Sequence, residues 1–360
     1  MVRVFPWLTG SFVVPVIRQT GHTGEFPVPG WTDDYEWLGY IPFEQHPYVL
    51  NPEQDYIVSA NNAVVGMDYP YIITTRWAYG YRAQRIVDMI EQAPGPVTSA
   101  YVQQIHGDNK DLNAETLVPI LMEIPLNDSR LEAVRELFQG WDFQDQMDLA
   151  APALFNAFWQ HLLARTFQDD LPERYWPGGG SRWFEVMRHL VQQPDSSWWD
   201  DHTTPQVEMR DQIFTLAFKD GVGELEASLG KDLTKWTWGD LHTLVFKNQA
   251  LGSSGIAPIE ALFNRGPYRV SGSDSVVNAT GWSAKDPYQV VGLPSMRMIV
   301  DLKNLDQSLS INTTGQSGHA YNQHYVDMAD LYRKIQYHPM LWSLDQVSGS
   351  ELDGHLVLAP

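Results

Sequence analysis

The chain has no cysteine among its 360 residues. That absence excludes disulfide-stapled scaffolds, thiol nucleophiles and thiolate-ligated zinc or iron–sulfur centres. It leaves the compartment open, because a chain of this size can fold in an oxidising space without disulfides. Basic residues are scarce: 24 Lys and Arg stand against 44 Asp and Glu, for a net charge of −20. Neutralising phosphates takes a basic face, so no nucleic-acid partner is expected. The same charge disfavours an anionic membrane surface, and no apolar run approaches the roughly 18 residues that span a bilayer. Met1-Val2-Arg3-Val4-Phe5-Pro6-Trp7 lacks the apolar stretch and small-residue cleavage site of a signal peptide. His-Glu-x-x-His, a phosphate-binding loop and Gly-x-Ser-x-Gly are also missing.

What is present is apolar mass: 43% of residues are hydrophobic and 12% aromatic, enough to build a core and to exclude disorder. The chain reads as three sections, an α+β pattern. Residues 1–82 carry short β-type runs, Phe12-Val13-Val14-Pro15-Val16-Ile17 and Tyr56-Ile57-Val58-Ser59-Ala60, separated by Pro/Gly turn signals. Residues 83–265 change period and form a mainly helical insertion. Leu131, Val134, Leu137 and Phe138 repeat at helical spacing before Gly140, as do Leu154, Phe155, Phe158, Leu162 and Leu163, then Ile213, Leu216 and Ala217. Pro177-Gly178-Gly179-Gly180 reads as a flexible break within that section. Residues 266–360 return to strands, Ser295–Leu302 and Ser308–Asn312, with a helix-like stretch at Tyr325–Ile335.

Most motifs have a plain structural reading. The 14 Trp are dispersed, as core and loop anchors are, rather than arranged as a sugar-stacking platform. Asp200-Asp201-His202, beside Trp198-Trp199, reads as a solvated turn rather than a metal seed. Asp108–Asn113 fails calcium-loop spacing, since Lys110 and Leu112 occupy ligand positions. His319 and His324 do not share a helix face. One segment carries chemistry: Tyr56-Ile57-Val58-Ser59-Ala60-Asn61-Asn62-Ala63 puts two carboxamides at the end of an apolar run. A side-chain amide there can donate to an oxygen that becomes negative during acyl transfer. It is cheaper to hold in a dry site than a cation. The same pair also suits an Asn-Asn turn in which the amides cap their own backbone.

Several ordered segments resemble the penicillin acylase family, in the later part of its β subunit. They are Pro27-Val28-Pro29-Gly30-Trp31, Tyr35–Phe43, Asn51-Pro52, Tyr56–Asn62, Asp68-Tyr69-Pro70 and Gly80-Tyr81-Arg82-Ala83-Gln84-Arg85-Ile86. Further along they include Lys235–His242, Pro294-Ser295-Met296-Arg297 and Gly315-Gln316-Ser317-Gly318 with His324-Tyr325. The resemblance implies part of an αββα N-terminal-nucleophile hydrolase sandwich with a large helical insertion. Such enzymes cut themselves into α and β subunits, and the freed N-terminal Ser attacks an amide carbonyl with its own α-amine as base. An α-amine titrates near about 8, which suits that role. Asn61 matches the family's oxyanion-hole Asn, and Arg82 its active-site Arg.

The departures from the family pattern shape the expectation. The family's nucleophile lies upstream of the matching segments, and Ser11, though it follows Gly10, sits in the wrong place for it. The chain is therefore expected to be the C-terminal portion of an acylase acting on N-acyl small molecules, either β-lactam side chains or acyl-homoserine lactones. Its expected partners are the α subunit and the N-terminal β segment, and alone it should be inactive. No cofactor is required. A structural calcium would take the backbone carbonyl of Gly24, but the second matching position falls in Tyr71-Ile72-Ile73-Thr74-Thr75, which has no acid. Family members are usually exported, which implies an extracytoplasmic location. The alternative is a non-catalytic chain, a pseudoenzyme or an aromatic-rich ligand-binding module.

Overall fold

The described residues of the first quarter of the chain bury very little. The computed structural model describes residues 16–18, 22–350 and 357–358, and forms two compact units, Met1–Glu91 and Gln92–Pro360. In the first unit β1 (Val16–Arg18) pairs antiparallel with β2 (Trp37–Tyr40), Val16 opposite Tyr40. A long shaped loop follows, and the unit ends in α1 (Tyr81–Glu91). Among its described residues, only Val16, Ile41 and Ala83 are buried hydrophobics, while Phe26 is 77% and Trp31 84% exposed. Trp37, Leu38 and Tyr40 of β2 are exposed too, so neither face of the strand is covered. A two-stranded ribbon this bare is marginal on its own.

The strand expected at Tyr56–Ala60 does not form. The segment is extended, and burial alternates along it, Tyr56, Val58 and Ala60 in and Ile57 and Ser59 out. It joins no ladder among the described residues. A pleated pattern makes a strand only where a second strand meets it, and here the segment lies against a helix instead. Ser11 and the Phe12–Pro15 part of the first β-type run lie outside the described residues.

The larger unit is built around buried helices. α2 (Ser99–His106), α3 (Leu112–Glu123) and α4 (Ser129–Arg135) come first. Asp111 and Asp128 cap α3 and α4, each accepting from two backbone N–H groups of the first turn. α4 tightens into a 3-10 turn, Glu136–Phe138, and the chain leaves through Gly140 at φ +76°. α5 (Ala150–Phe167) follows, then α6 (Ser181–Leu190) and α7 (Arg210–Leu229). Residues Ala151–Trp159 of α5 are buried without a break, so this helix has no solvent face over its first half. α7 presents Ile213, Phe214, Ala217, Phe218, Gly221, Val222 and Leu225 to the core. The two backbones meet at Gly221, where an added Cβ would lie 3.0 Å from the Phe158 nitrogen. Phe158 makes an edge-to-face contact with Phe214, ring centroids 5.4 Å apart.

The rest of the unit adds α8 (Trp238–Leu241), β3 (Thr243–Phe246), α9 (Ala257–Phe263), β4 (Arg265–Arg269), β5 (Met296–Ile299) and β6 (Leu309–Asn312). α10 (Ala329–Arg333), β7 (His338–Pro339) and α11 (Leu344–Gly349) complete it. β3 pairs with β4, and β6 lies between β5 and β7, all antiparallel. The α+β class is as expected. The boundaries expected at 82/83 and 265/266 fall inside α1 and β4. Pro177–Gly180 is no flexible break: Pro177 and Gly179 are buried, and the Trp159 indole donates to the Gly179 carbonyl at 3.3 Å. The absence of side chains there serves close packing.

His242 closes a second, polar core. Its ring stacks on Trp238 at 4.4 Å, Nδ1 donates to the Tyr288 carbonyl at 2.6 Å, and Nε2 meets the Thr280 hydroxyl at 2.9 Å. Full burial holds its pKa down to about 4.

Two outcomes are expected. Gly221→Ala forces the α5 and α7 backbones apart and lowers stability by about 1–3 kcal/mol, read from urea unfolding. Below pH 6.5 the unfolded chain takes up a proton at residue 242 that the folded chain refuses. His242 therefore removes about 1.4 kcal/mol of stability per pH unit between about 6.5 and 4. His242→Gln abolishes that share, so the gap in unfolding free energy between wild type and variant should shift across this window in the variant's favour as the pH falls.

Candidate functional site

Asn61 and Arg82, chosen from sequence, are brought together. Arg82 stands in the first turn of α1, just after Gly80. One of its guanidinium nitrogens, Nη2, donates to Asn61 Oδ1 at 2.7 Å and to the Ala60 carbonyl at 2.9 Å. An arginine at a helix start opposes the macrodipole, at a cost of about 0.3–1 kcal/mol, so helix formation does not explain its place. Asn61 adopts φ +66°, in the left-handed region that asparagine tolerates, and its carbonyl accepts from the Ala78 N–H at 2.9 Å. Both side chains are half-buried.

The two carboxamides behave differently. Asn62 Oδ1 accepts from the Ala60 N–H at 3.0 Å, and its Nδ2 donates to the Ala63 carbonyl at 3.1 Å. The turn reading therefore describes Asn62. Asn61 does not cap its own backbone. Because the guanidinium takes Oδ1, the planar amide is oriented with Nδ2 on the other prong, and among the described residues Nδ2 donates to nothing. A charge-assisted bond to the oxygen also polarises the amide and strengthens its remaining N–H groups as donors.

A second anchor was missed in the sequence. The Tyr56 hydroxyl donates to Glu91 Oε1 at 2.6 Å. Residues 56–61 thus run antiparallel to α1, fixed at Glu91 by Tyr56 and at Arg82 by Ala60 and Asn61. The lengths agree: nine helical residues rise about 13.5 Å, and five extended ones reach about 17 Å. Tyr56 belongs to the apolar run, so hydropathy gives no sign of this polar use.

The family model described as penicillin amidase matches residues 7–349. This chain belongs to the penicillin amidase family. Within that family it is similar to the acyl-homoserine lactone acylase QuiP of Pseudomonas aeruginosa, at 26% identity over 94% of this chain and 43% of the relative. It is similar also to the penicillin acylase 2 proenzyme of a Pseudomonas species, at 27% identity over 90% of this chain and 41% of the relative. Among solved structures, thermostable penicillin G acylase from Alcaligenes faecalis shares the fold with a TM-score of 0.57 at 18% identity, covering 96% of this chain and 64% of that one. The chain thus spans less than half the length of these two curated relatives.

Two of the places weighed as metal sites from sequence can be examined in the fold. At Gly24 (φ +82°), the neighbouring Glu25 accepts from the Thr75 hydroxyl at 2.5 Å and lies 3.9 Å from Arg76. The two segments of the expected calcium site do meet. Their one carboxylate accepts from Thr75 and has Arg76 at the edge of ion-pair distance, and residues 71–75 add no acid. Among the described residues, these two segments do not by themselves supply a shell of six to eight oxygens. Around His202, the carboxylates of Asp169 and Asp170 join the imidazole within 4.8 Å, but all three are exposed in a turn.

Arg82→Ala should free the Asn61 carboxamide and loosen residues 60–63. Amide hydrogen exchange at Ala78, whose N–H is held by Asn61, is expected to rise at least tenfold, while exchange in α5 stays unchanged.

Proposed function

We propose that this chain provides the oxyanion half of a penicillin-acylase-type amidohydrolase. The observation that carries the reading is the orientation of Asn61: a cation on Oδ1 and Nδ2 unspent. In this reading Asn61 Nδ2 donates to the carbonyl oxygen of an N-acyl amide as it becomes an oxyanion, and Arg82 is the positioning residue that keeps the amide prong turned. A donor set in advance serves the charge that develops in the transition state more than the ground-state carbonyl, so its effect falls on kcat. The reaction uses no cofactor.

The nucleophilic serine, its α-amine base and part of the acyl pocket come from the α subunit and the N-terminal β segment. The bare apolar faces of the first unit, with Trp31 84% exposed and both pleats of β2 uncovered, support that partner. So does the fraction of the relatives' length that the chain spans. The substrate is a linear amide of an acylated small molecule, a β-lactam side chain or an acyl-homoserine lactone, in keeping with what the two relatives are named for. An extracytoplasmic location belongs to the same reading.

Purified 1–360 should not turn over a chromogenic N-acyl anilide, and co-expression with an upstream acylase segment should restore turnover. In that assembly Asn61→Ala is expected to lower kcat by about 10²–10³-fold with little change in KM. Assembly is checked separately by size-exclusion chromatography. Activity in 1–360 alone that is abolished by Ser11→Ala would overturn the division of labour. Full activity in assembled Asn61→Ala would overturn the oxyanion role and leave a non-catalytic role for this segment.

A further inference from the structure

The larger unit buries two acids that its fold leaves incompletely served. Asp145 is wholly buried, and neither of its carboxylate oxygens has a hydrogen-bond partner. Asp111, 2% exposed, spends Oδ1 on the α3 cap, accepting from Asn113 at 2.7 Å and Ala114 at 3.1 Å. Its Oδ2 takes no hydrogen bond among the described residues. The two acids come from adjacent chain segments: Asp111 N–H donates to the Phe143 carbonyl at 2.8 Å, and Asp145 N–H to the Asn109 carbonyl at 3.0 Å. Neither forms an ion pair with a described side chain. An uncompensated buried carboxylate is among the most expensive groups a protein can carry.

The neighbours are oxygen donors. The Asp145 carboxylate faces the side chains of Asn156 and Ser273. Both are buried, and both line a small cavity together with Asp111, Asp274, Trp159 and Trp282, while Asp145 adjoins them without itself lining it. Asn156 points its Oδ1 at Ser273, which donates to it at 3.1 Å, and spends an N–H on the Pro152 carbonyl at 2.9 Å. The Trp282 indole donates to Ser273 Oγ at 2.9 Å. The Ser273 proton is therefore used as well; Asn156 and Ser273 lie near enough to favour the charged Asp145 carboxylate, but neither donates to it in good hydrogen-bond geometry. The cavity holds about 10 Å³, room for one sphere of water size.

We propose that Asp145, Asp111, Asn156 and Ser273 form a buried site for a hard divalent cation of calcium size. Such an ion takes carboxylate, amide and hydroxyl oxygens in a flexible shell, which is the chemistry gathered here. A proton could neutralise one acid but would serve only one of the two orphaned Asp145 oxygens, whereas an ion held by both satisfies both. Bound there, the ion fastens residues 108–111, 143–146 and 271–274 to α3 and α5. It does not rest on the proposed amidase activity.

The test uses the full chain, freed of metal by a chelator and then titrated with calcium chloride. About one calcium per chain is expected by mass spectrometry after dialysis, with a rise in melting temperature. Terbium chloride should give luminescence excited through tryptophan, since Trp159 and Trp282 line the cavity. Asp145→Asn, which keeps shape and removes charge, should weaken calcium binding at least tenfold and abolish the terbium signal. Ser273→Ala should weaken binding without unfolding the chain, and serves if Asp145→Asn does not fold. The proposal is overturned if the wild type holds no ion, or if binding survives in both variants. It is equally overturned if calcium is retained in Asp145→Asn but lost in Glu25→Gln, which places the ion at Gly24, or if Asp145→Asn is more stable than wild type in saturating calcium.

Discussion

The closeness of α5 and α7 is the constraint on which the larger unit depends. Gly221 lets the two helices approach until backbone nearly touches backbone, and Phe158 can then meet Phe214 edge to face. Once α5 is sealed in, its polar residues must be served internally. Asn156 turns to the Pro152 carbonyl and Ser273, and Trp159 to Gly179. The glycine run before α6 packs tightly because α5 brings an indole to it. The acids near Asn156 are buried for the same reason, since they lie behind a helix with no wet side.

The smaller unit obeys a different economy. It has almost no core, and what order it shows comes from polar fastenings and backbone geometry. Arg82 is the chief of these, tying two atoms of the 60–61 segment to the start of α1. Charge-assisted bonds of this kind are directional, and apolar packing is not. They fix the orientation of the Asn61 amide more closely than a loosely filled core would.

Sequence reading recovered what depends on local periodicity. α4, α5 and α7 appear where Leu131–Phe138, Leu154–Leu163 and Ile213–Ala217 show helical spacing, because a helix is made of its own neighbours. It singled out Asn61 and Arg82 only through resemblance, since two carboxamides after an apolar run fit a turn equally well. Asn62 does fill that turn. The misreadings share a cause. Tyr56–Ala60 has a strand's alternation but no partner strand, and Gly178–Gly180 looks loose until Trp159 is brought to it from another helix. Asp108–Asn113 fails as a calcium loop on spacing, and nothing in the fold reverses that. That Asp111 comes near Asp145, and lines one cavity with Ser273, is a matter of the fold that no local pattern announces.

The two fastenings of residues 56–61 make α1 a ruler. Tyr56 is pinned to its end and Asn61 to its beginning, so the number of residues between them is set by the helix rise, not by the loop. A single insertion between Ile57 and Ala60 would have to bulge outward or swing Asn61 out of line by one pleat. Insertions between Met67 and Thr75, which lie outside the two pins, would leave the measured span untouched. Length variation among related chains should therefore gather on the far side of Asn62, and the run from Tyr56 to Asn61 should hold its count even where its residues change.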